Sequence, residues 1–247
     1  MKNTAQWRET KFVYKNNKLR GSRNPSDLSV SSRLSADLIA QHYDRYLKQH
    51  VSGRLADLGC GKVPLYHAYR DLASEVVCVD WDTVHRTNPF LDHICDLNEP
   101  LPFGDHEFDT IILSDVLEHL KNPEQLWKEM NRVLRTGGKV ILNVPFFYKL
   151  HEKPFDFYRY TEFALTNFAT SAGFNVLVLK ATGGTPEILS DLSAKTVVFV
   201  PVVGRWMATC IQWFCRLFLK TGPGRRLSEK SGRDFPFGYF MIVQKQA

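Results

Sequence analysis

The sequence predicts an α/β fold, a mainly parallel sheet with helices packed on both faces. Three observations carry the prediction. From residue 54 to residue 180 short apolar runs alternate with helical patterns, the order that successive βαβ units produce. The runs are apolar almost throughout, as strands covered on both faces must be. The 247 residues, 44% of them hydrophobic, suffice for one large domain with a buried core.

The elements follow in order. Residues 1–26 lack apolar periodicity and include the turn-rich GSRNP, so they read as a basic N-terminal arm. Residues 27–50 place Leu34, Leu38, Ile39, Tyr43, Tyr46 and Leu47 on one helical face. Strand 54–58 is followed by helix 64–73, strand 75–79, a short strand near 91–95 and strand 108–114. Helix 123–134, strand 138–144, helix 161–172 and strand 174–180 complete the alternation, with Thr161 before Glu162 as a helix-start signal. Residues 185–232 break the rhythm, and GYFMIV at 238–243 supplies one last strand. The expected organisation is the arm at 1–26, a core at 27–184, a hydrophobic and basic insertion at 185–233, and the last core strand within 234–247.

The net charge of +6 is unevenly placed. Residues 1–23 carry seven Lys or Arg against one Glu, residues 195–233 carry eight against one, and 234–247 balance, which leaves about −7 on residues 24–194. Basic ends on an acidic body suit contact with a polyanionic surface, or are simply a solvated tail and loop. Neither a secretory apolar core in residues 1–18 nor a run of about 18 uncharged apolar residues is present, so a cytoplasmic location is expected, at the inner face of the membrane if the insertion touches lipid. Cys60, Cys78, Cys95, Cys210 and Cys215 show no CxxC or zinc-type spacing and read as reduced core residues.

The first strand runs into the turn LADLGCGK. Ligands of open parallel sheets bind beyond the carboxyl ends of the strands, and Gly59 and Gly61 suit a turn pressed against one. Asp80 closes the second strand about 20 residues later, where a carboxylate can accept both hydroxyls of a ribose. Lys62 is followed by Val63, not Ser or Thr, so a P-loop is excluded. Position 64 is Pro, not the third glycine of a dinucleotide turn. Asp57 would repel a diphosphate but accept from an ammonium group. The expected ligand is adenosine joined to an amino acid.

These segments, LADLGCGKVPLY, VVCVD, CDLNEPLPFGDHEFDTIILSDVLEHL and RVLRTGGKVILNVP, resemble the successive motifs of class I S-adenosylmethionine-dependent methyltransferases over roughly residues 50–180. The resemblance implies a Rossmann-like, seven-stranded sheet with an antiparallel last strand, and S-adenosyl-L-methionine as cofactor. It assigns Asp57, Gly59, Cys60 and Gly61 to the methionine part, Asp80 to the ribose, Asp96 and Leu97 to adenine, and Ser114 and Asp115 to the border of the sulfonium. Trp81 either stacks on adenine or packs. The stretch PFFYKLHEKPFDFYRYT with the following insertion is similar to methyltransferases encoded among bacterial surface-polysaccharide and lipid-modifying genes. It implies an acceptor loop containing Phe146, Tyr148, Asp156, Tyr158 and Arg159, unless the loop is pinned by its own hydrogen bonds.

His119 and His151 are the candidate bases for an acceptor hydroxyl; for His119 the alternative is an imidazole that ties a loop backbone in place. O-methylation is favoured, and NPPY, the mark of N-methyltransferases, is replaced by SDVL. Asp115, Glu118, His119 and His151 imperfectly resemble the metal site of methyltransferases acting on small RNAs; no metal is expected. In the insertion, Arg205, Thr209, Gln212 and Arg216 form a narrow polar stripe, while Trp206, Met207, Ile211, Trp213, Phe214, Leu217 and Phe218 fill the remaining helix surface. With the basic residues after it, segment 196–233 suits an anionic membrane surface, and alternatively a pocket lid or a dimer contact. The expected partner is a small-molecule, glycan or lipid-linked acceptor. The rivals are an RNA 2′-O-methyltransferase with a divalent metal and a non-catalytic regulator; oligomeric state stays open.

Overall fold

The computed structural model describes residues 1–81 and 88–246 and divides into two compact units. In chain order the elements are β1 Phe12–Lys15, β2 Lys18–Gly21, α1 Arg33–His50, β3 Arg54–Leu58, α2 Tyr66–Tyr69, β4 Glu75–Asp80, β5 His93–Ile94, β6 Phe108–Ser114, α3 Pro123–Val133, β7 Leu134–Pro145, α4 Glu162–Ser171, β8 Phe174–Thr182, α5 Thr185–Val197, α6 Gly204–Lys220, α7 Gly222–Ser231 and β9 Gly238–Lys245.

The first unit comprises Met1–Arg8, Tyr46–Lys180 and Tyr239–Ala247 and holds the main sheet, ordered β5-β4-β3-β6-β7-β9-β8. β5, β4, β3, β6 and β7 are paired in parallel, and the last strand is antiparallel. The chain winds outward from β3 to β5, then returns to lay β6 on the other side of β3. That reversal opens a crevice beyond the carboxyl ends of β3 and β6. Both faces are covered: Leu55, Ile112 and Ile141 on one, and Ala56, Ile111 and Val140 on the other, are at most 1% exposed. Pro123 starts α3, and Leu126, Trp127, Met130 and Val133 recur at helical spacing to join Leu113, Leu142 and Met241 in the core. Trp127, fully enclosed, should cost about 3–5 kcal/mol if cut to Ala. On the opposite face Tyr46 stacks on Phe240 with ring centroids 5.5 Å apart.

Several boundaries differ from expectation. The helix expected at 64–73 is a single turn, because Val63 sits at φ +51° ahead of Pro64 and only Leu65, Ala68 and Tyr69 offer an apolar face. β7 starts at Leu134, directly after α3, where a register irregularity against β6 and Gly137 at φ +78° absorb the change of direction.

The second unit comprises Glu9–Arg45 and Ala181–Gly238. Residues 12–21 of the expected arm form an antiparallel hairpin. Its turn places Asn16 and Asn17 at φ +52° and +56°, left-handed positions that asparagine tolerates and a two-residue hairpin turn needs. The insertion is three helices. Glu187 links two of them, accepting from Gly184 N at 3.0 Å at the start of its own helix α5 and from Ser228 Oγ of α7 at 2.6 Å. In α6 the second half of the polar stripe, Gln212 and Arg216, faces inward, while Arg205 and Thr209 are exposed. Gln212, 1% exposed, donates to Val30 O at 2.8 Å and accepts from Leu34 N at 2.9 Å, and Arg216 reaches Asp37 at 2.9 Å. Trp206, Trp213 and Phe214 face outward, more than half exposed. Among the described residues no helix is long and apolar enough to cross a membrane.

Candidate active site

The glycine turn follows β3 directly. Gly59 N and Cys60 N donate to Val79 O at 2.8 and 3.2 Å, which clamps the turn onto β4. Gly59 and Gly61 have φ +69° and +51°. A Cβ on Gly59 would lie 2.4 Å from Val116 Cγ2, so that glycine answers a close approach within the protein. A Cβ on Gly61 would meet nothing within 4 Å, so there bare backbone borders open space.

Asp57 and Asp80 flank this space from the ends of β3 and β4. Asp57 is buried and accepts from the Tyr69 hydroxyl at 2.5 Å. Burial pushes its carboxyl up from 3.8 to about 7; the Tyr69 hydrogen bond works against the rise and the charge of Asp80 adds to it. Asp80 accepts from Gly61 N at 2.7 Å and Trp81 N at 2.8 Å; burial raises its pKa and those two bonds oppose the rise. Tyr69 was not legible as a site residue, because its only signal is an aromatic one turn into a helix expected to be longer. Cys60 is buried behind the turn.

Asp96 is exposed beyond β5 and accepts from Asn98 N and Nδ2 at 2.9 and 2.8 Å, while Leu97 next to it is buried. Trp81 packs edge-on against Phe155, with centroids 4.9 Å apart. Ser114 ends β6, and Asp115 follows at φ +55°. Asn143 of β7, absent from the sequence-derived set, holds Asp115 twice: its carbonyl accepts from Asp115 N at 2.9 Å and its amide donates to Asp115 Oδ1 at 2.5 Å.

Past β6 a short turn, Leu117–His119, buries Glu118 completely. Its backbone carbonyl accepts from Phe157 N and Tyr158 N at 2.9 and 3.3 Å, and Tyr160 donates to Leu117 O at 2.9 Å, so loop 146–160 is laced onto this turn. His119 Nδ1 donates to Phe155 O at 2.5 Å, the backbone tie weighed for it, and its Nε2 stands 3.7 Å from Glu118 Oε1. His151 Nε2 stands 3.6 Å from the same oxygen, and the two imidazoles are 4.7 Å apart. Burial raises the Glu118 pKa, opposed by His151; the Glu118 carboxylate raises that of His151, opposed by burial. Glu118, His119 and His151 converge, and Asp115 stays with Asn143 outside the group.

The five acceptor-loop residues of the sequence analysis come together. Phe146, Tyr148, Asp156, Tyr158 and Arg159 line one cavity of about 280 Å³ with Phe147, Leu150 and Phe157. Arg159 is not a free cation. It grips Asp156 at 2.5 and 2.9 Å and holds that carboxyl well below its ordinary range, while Tyr158 donates to Lys121 O at 3.2 Å.

Residues 56–142 match the family model described as "Methyltransferase domain". An uncharacterized methyltransferase of Mycobacterium leprae is 32% identical over 121 residues, 44% of this chain and 45% of that protein. The demethylmenaquinone methyltransferase of Renibacterium salmoninarum is 30% identical over 94 residues, 36% and 40%. The chain thus spans less than half the length of these relatives. Among solved structures, an S-adenosylmethionine-dependent methyltransferase from Archaeoglobus fulgidus superposes with a TM-score of 0.55 at 18% identity, over 91% of this chain and 95% of that one. One from Mesorhizobium loti gives 0.55 at 15%, over 86% and 100%. Sequence match and fold agree: residues 56–142 match a methyltransferase domain, and the chain has the Rossmann-like fold of these S-adenosylmethionine-dependent methyltransferase structures.

Proposed function

We infer that the chain transfers a methyl group from S-adenosylmethionine to an oxygen of a small-molecule, glycan or lipid-linked acceptor. The observation that carries this is the bare backbone at Gly61, open to space and flanked by Asp57 and Asp80. The residues fit the cofactor. Asp57, poised near neutrality by burial, gains its missing counter-charge from an ammonium group; Asp80 suits the ribose hydroxyls, Asp96 and Leu97 the adenine, and Ser114 and Asp115 the border of the reacting centre. When bound, S-adenosylmethionine supplies a methyl group on a sulfonium leaving group. The protein must then hold the nucleophile in line at short range, a contribution of several kcal/mol.

The acceptor fits the cavity bounded by Phe146, Tyr148, Asp156, Tyr158 and Arg159. A hydroxyl loses its proton toward the neighbouring imidazoles, and His119 or His151, where free, is the base. The outward-turned aromatic face of α6, followed by exposed Lys220, Arg225, Arg226, Lys230 and Arg233, favours an amphiphilic acceptor reached at an anionic lipid surface. The test is incubation with methyl-labelled cofactor and fractionated cell extract. Label should enter lipid or glycan; label in RNA, or tight cofactor binding without turnover on any fraction, would refute this reading.

A further inference from the structure

The Glu118 carboxylate is fully enclosed and neither oxygen has a hydrogen-bond partner, although burying an acceptor unsatisfied costs about 1–3 kcal/mol. Neither neighbouring imidazole stands close enough to hydrogen-bond to it. A carbonyl oxygen can only accept, so the contact with Phe155 O fixes the His119 proton on Nδ1. His151 Nδ1 lies 3.3 Å from Asp156 Oδ2 without a hydrogen bond to it, and Asp156 is gripped by Arg159 through two bonds. The Nε2 atoms of both imidazoles thus stand around one unsatisfied carboxylate, three potential ligands at one spot.

The spacing distinguishes a shared ion from shared protons. At 3.6 and 3.7 Å from Glu118 Oε1 the two nitrogens are beyond hydrogen-bond range. Two ligands each about 2.1 Å from one tetrahedral ion lie about 3.4 Å apart, close to what is seen. All three donor atoms lie within 4.8 Å of one another. His119 is oriented through Nδ1 by a backbone carbonyl, an outer contact that metal sites use, and Asp156 holds His151 through its backbone N at 2.9 Å.

We propose that Glu118, His119 and His151 bind one divalent transition-metal ion, with the His119 ring oriented by Phe155 O and the His151 backbone held by Asp156. Two imidazoles with one carboxylate suit Zn²⁺, Fe²⁺, Mn²⁺ or Co²⁺ and not the oxygen cages of Ca²⁺ or Mg²⁺. Three protein ligands leave a coordination position open. In a role that rests on the methyl-transfer reading, the acceptor oxygen takes that position. The ion then acidifies the hydroxyl, whose proton leaves to water, and ligation of the ion replaces the base role that the two imidazoles have in the metal-free site.

The experiment uses the untagged full chain, stripped with a chelator and titrated with Zn²⁺ and Co²⁺ salts, read by calorimetry, Co²⁺ visible absorption and thermal melting. One equivalent should bind, with a ligand-field band and a raised Tm. Glu118→Gln, His119→Ala and His151→Ala should each weaken binding by about 100-fold or more and abolish the band, and Asp156→Asn should weaken it about 10–100-fold, the range of orienting partners. Binding of S-adenosylhomocysteine, measured on the same samples, should persist in all four and shows that they are folded. Wild-type protein that binds no equivalent of either metal, or ligand variants that bind like wild type, overturn the site. Loss of nucleoside binding in the wild type would instead overturn the methyltransferase reading and leave the metal result standing.

Discussion

Replacing Asp57 by Asn should make the ligand-free protein more stable above neutrality while weakening its hold on the cofactor. The carboxyl is buried, and moving its pKa from 3.8 to about 7 means that the folded state resists ionisation. At roughly 1.4 kcal/mol per pH unit, the full cost once the group is ionised is about 4 kcal/mol. The sign follows from linkage: an acid raised on folding adds stability below its unfolded pKa, and that stability drains away as pH rises toward the folded value. Asparagine keeps an oxygen for the Tyr69 hydroxyl but cannot ionise. The gap in unfolding free energy between variant and wild type should therefore widen in favour of the variant by about 2–3 kcal/mol between about pH 5 and about pH 8. Urea denaturation at a series of pH values measures it, and subtraction cancels groups common to both proteins. Calorimetry with S-adenosylhomocysteine should show the opposite ranking, with wild-type affinity falling up to about tenfold per pH unit below about 7 and the variant weak throughout. A gap that stays flat with pH, or one that widens toward acid, would refute the reasoning.

Further outcomes follow from the same geometry. Gly59→Ala should destabilise by several kcal/mol through the 2.4 Å approach to Val116, whereas Gly61→Ala should cost only about 1–2 kcal/mol for its left-handed φ yet lower nucleoside affinity at least tenfold; an alanine at 61 that binds normally would count against the open space being the cofactor's. Tyr69→Phe strips Asp57 of its donor and should cost about 1–3 kcal/mol in a denaturation curve, with the pH midpoint of cofactor binding moving upward; an unchanged midpoint would show that the hydroxyl does not tune the acid. Replacing Trp206 and Trp213 together by Ser should leave the melting temperature within a degree or so, because both rings are exposed, and lower binding to anionic phospholipid vesicles about tenfold or more. Failure of the unaltered protein to bind such vesicles would remove the lipid role of this face.

The sheet and the glycine turn were legible because period and punctuation are local signals: apolar runs at 54–58, 75–80 and 108–114 stand as strands within one residue of expectation. The hairpin at 12–21 was missed since its evidence is two asparagines in a polar stretch, which suit a turn but do not announce strands. Helix α6 shows a different limit. Both of its faces could be read from spacing, but which one turns inward depends on Val30, Leu34 and Asp37, some 180 residues earlier in the chain. A bare helix would bury its aromatics; this one buries Gln212 because two backbone groups complete its amide. The Glu118, His119 and His151 group was named in full, but the exclusion of Asp115 rests on Asn143, a strand residue that looks like sheet interior in the sequence.

The place of β9 constrains how the polypeptide reaches its native state. It lies between β7 and β8, so the ladder on which β8 depends does not exist until residues 238–245 have left the ribosome. A nascent chain synthesised only to residue 182 carries a long apolar strand with no neighbour, an aggregation hazard that must be endured or shielded while about sixty more residues are translated. Sheet completion in this protein therefore waits on the synthesis of β9, whatever the intrinsic speed of each strand.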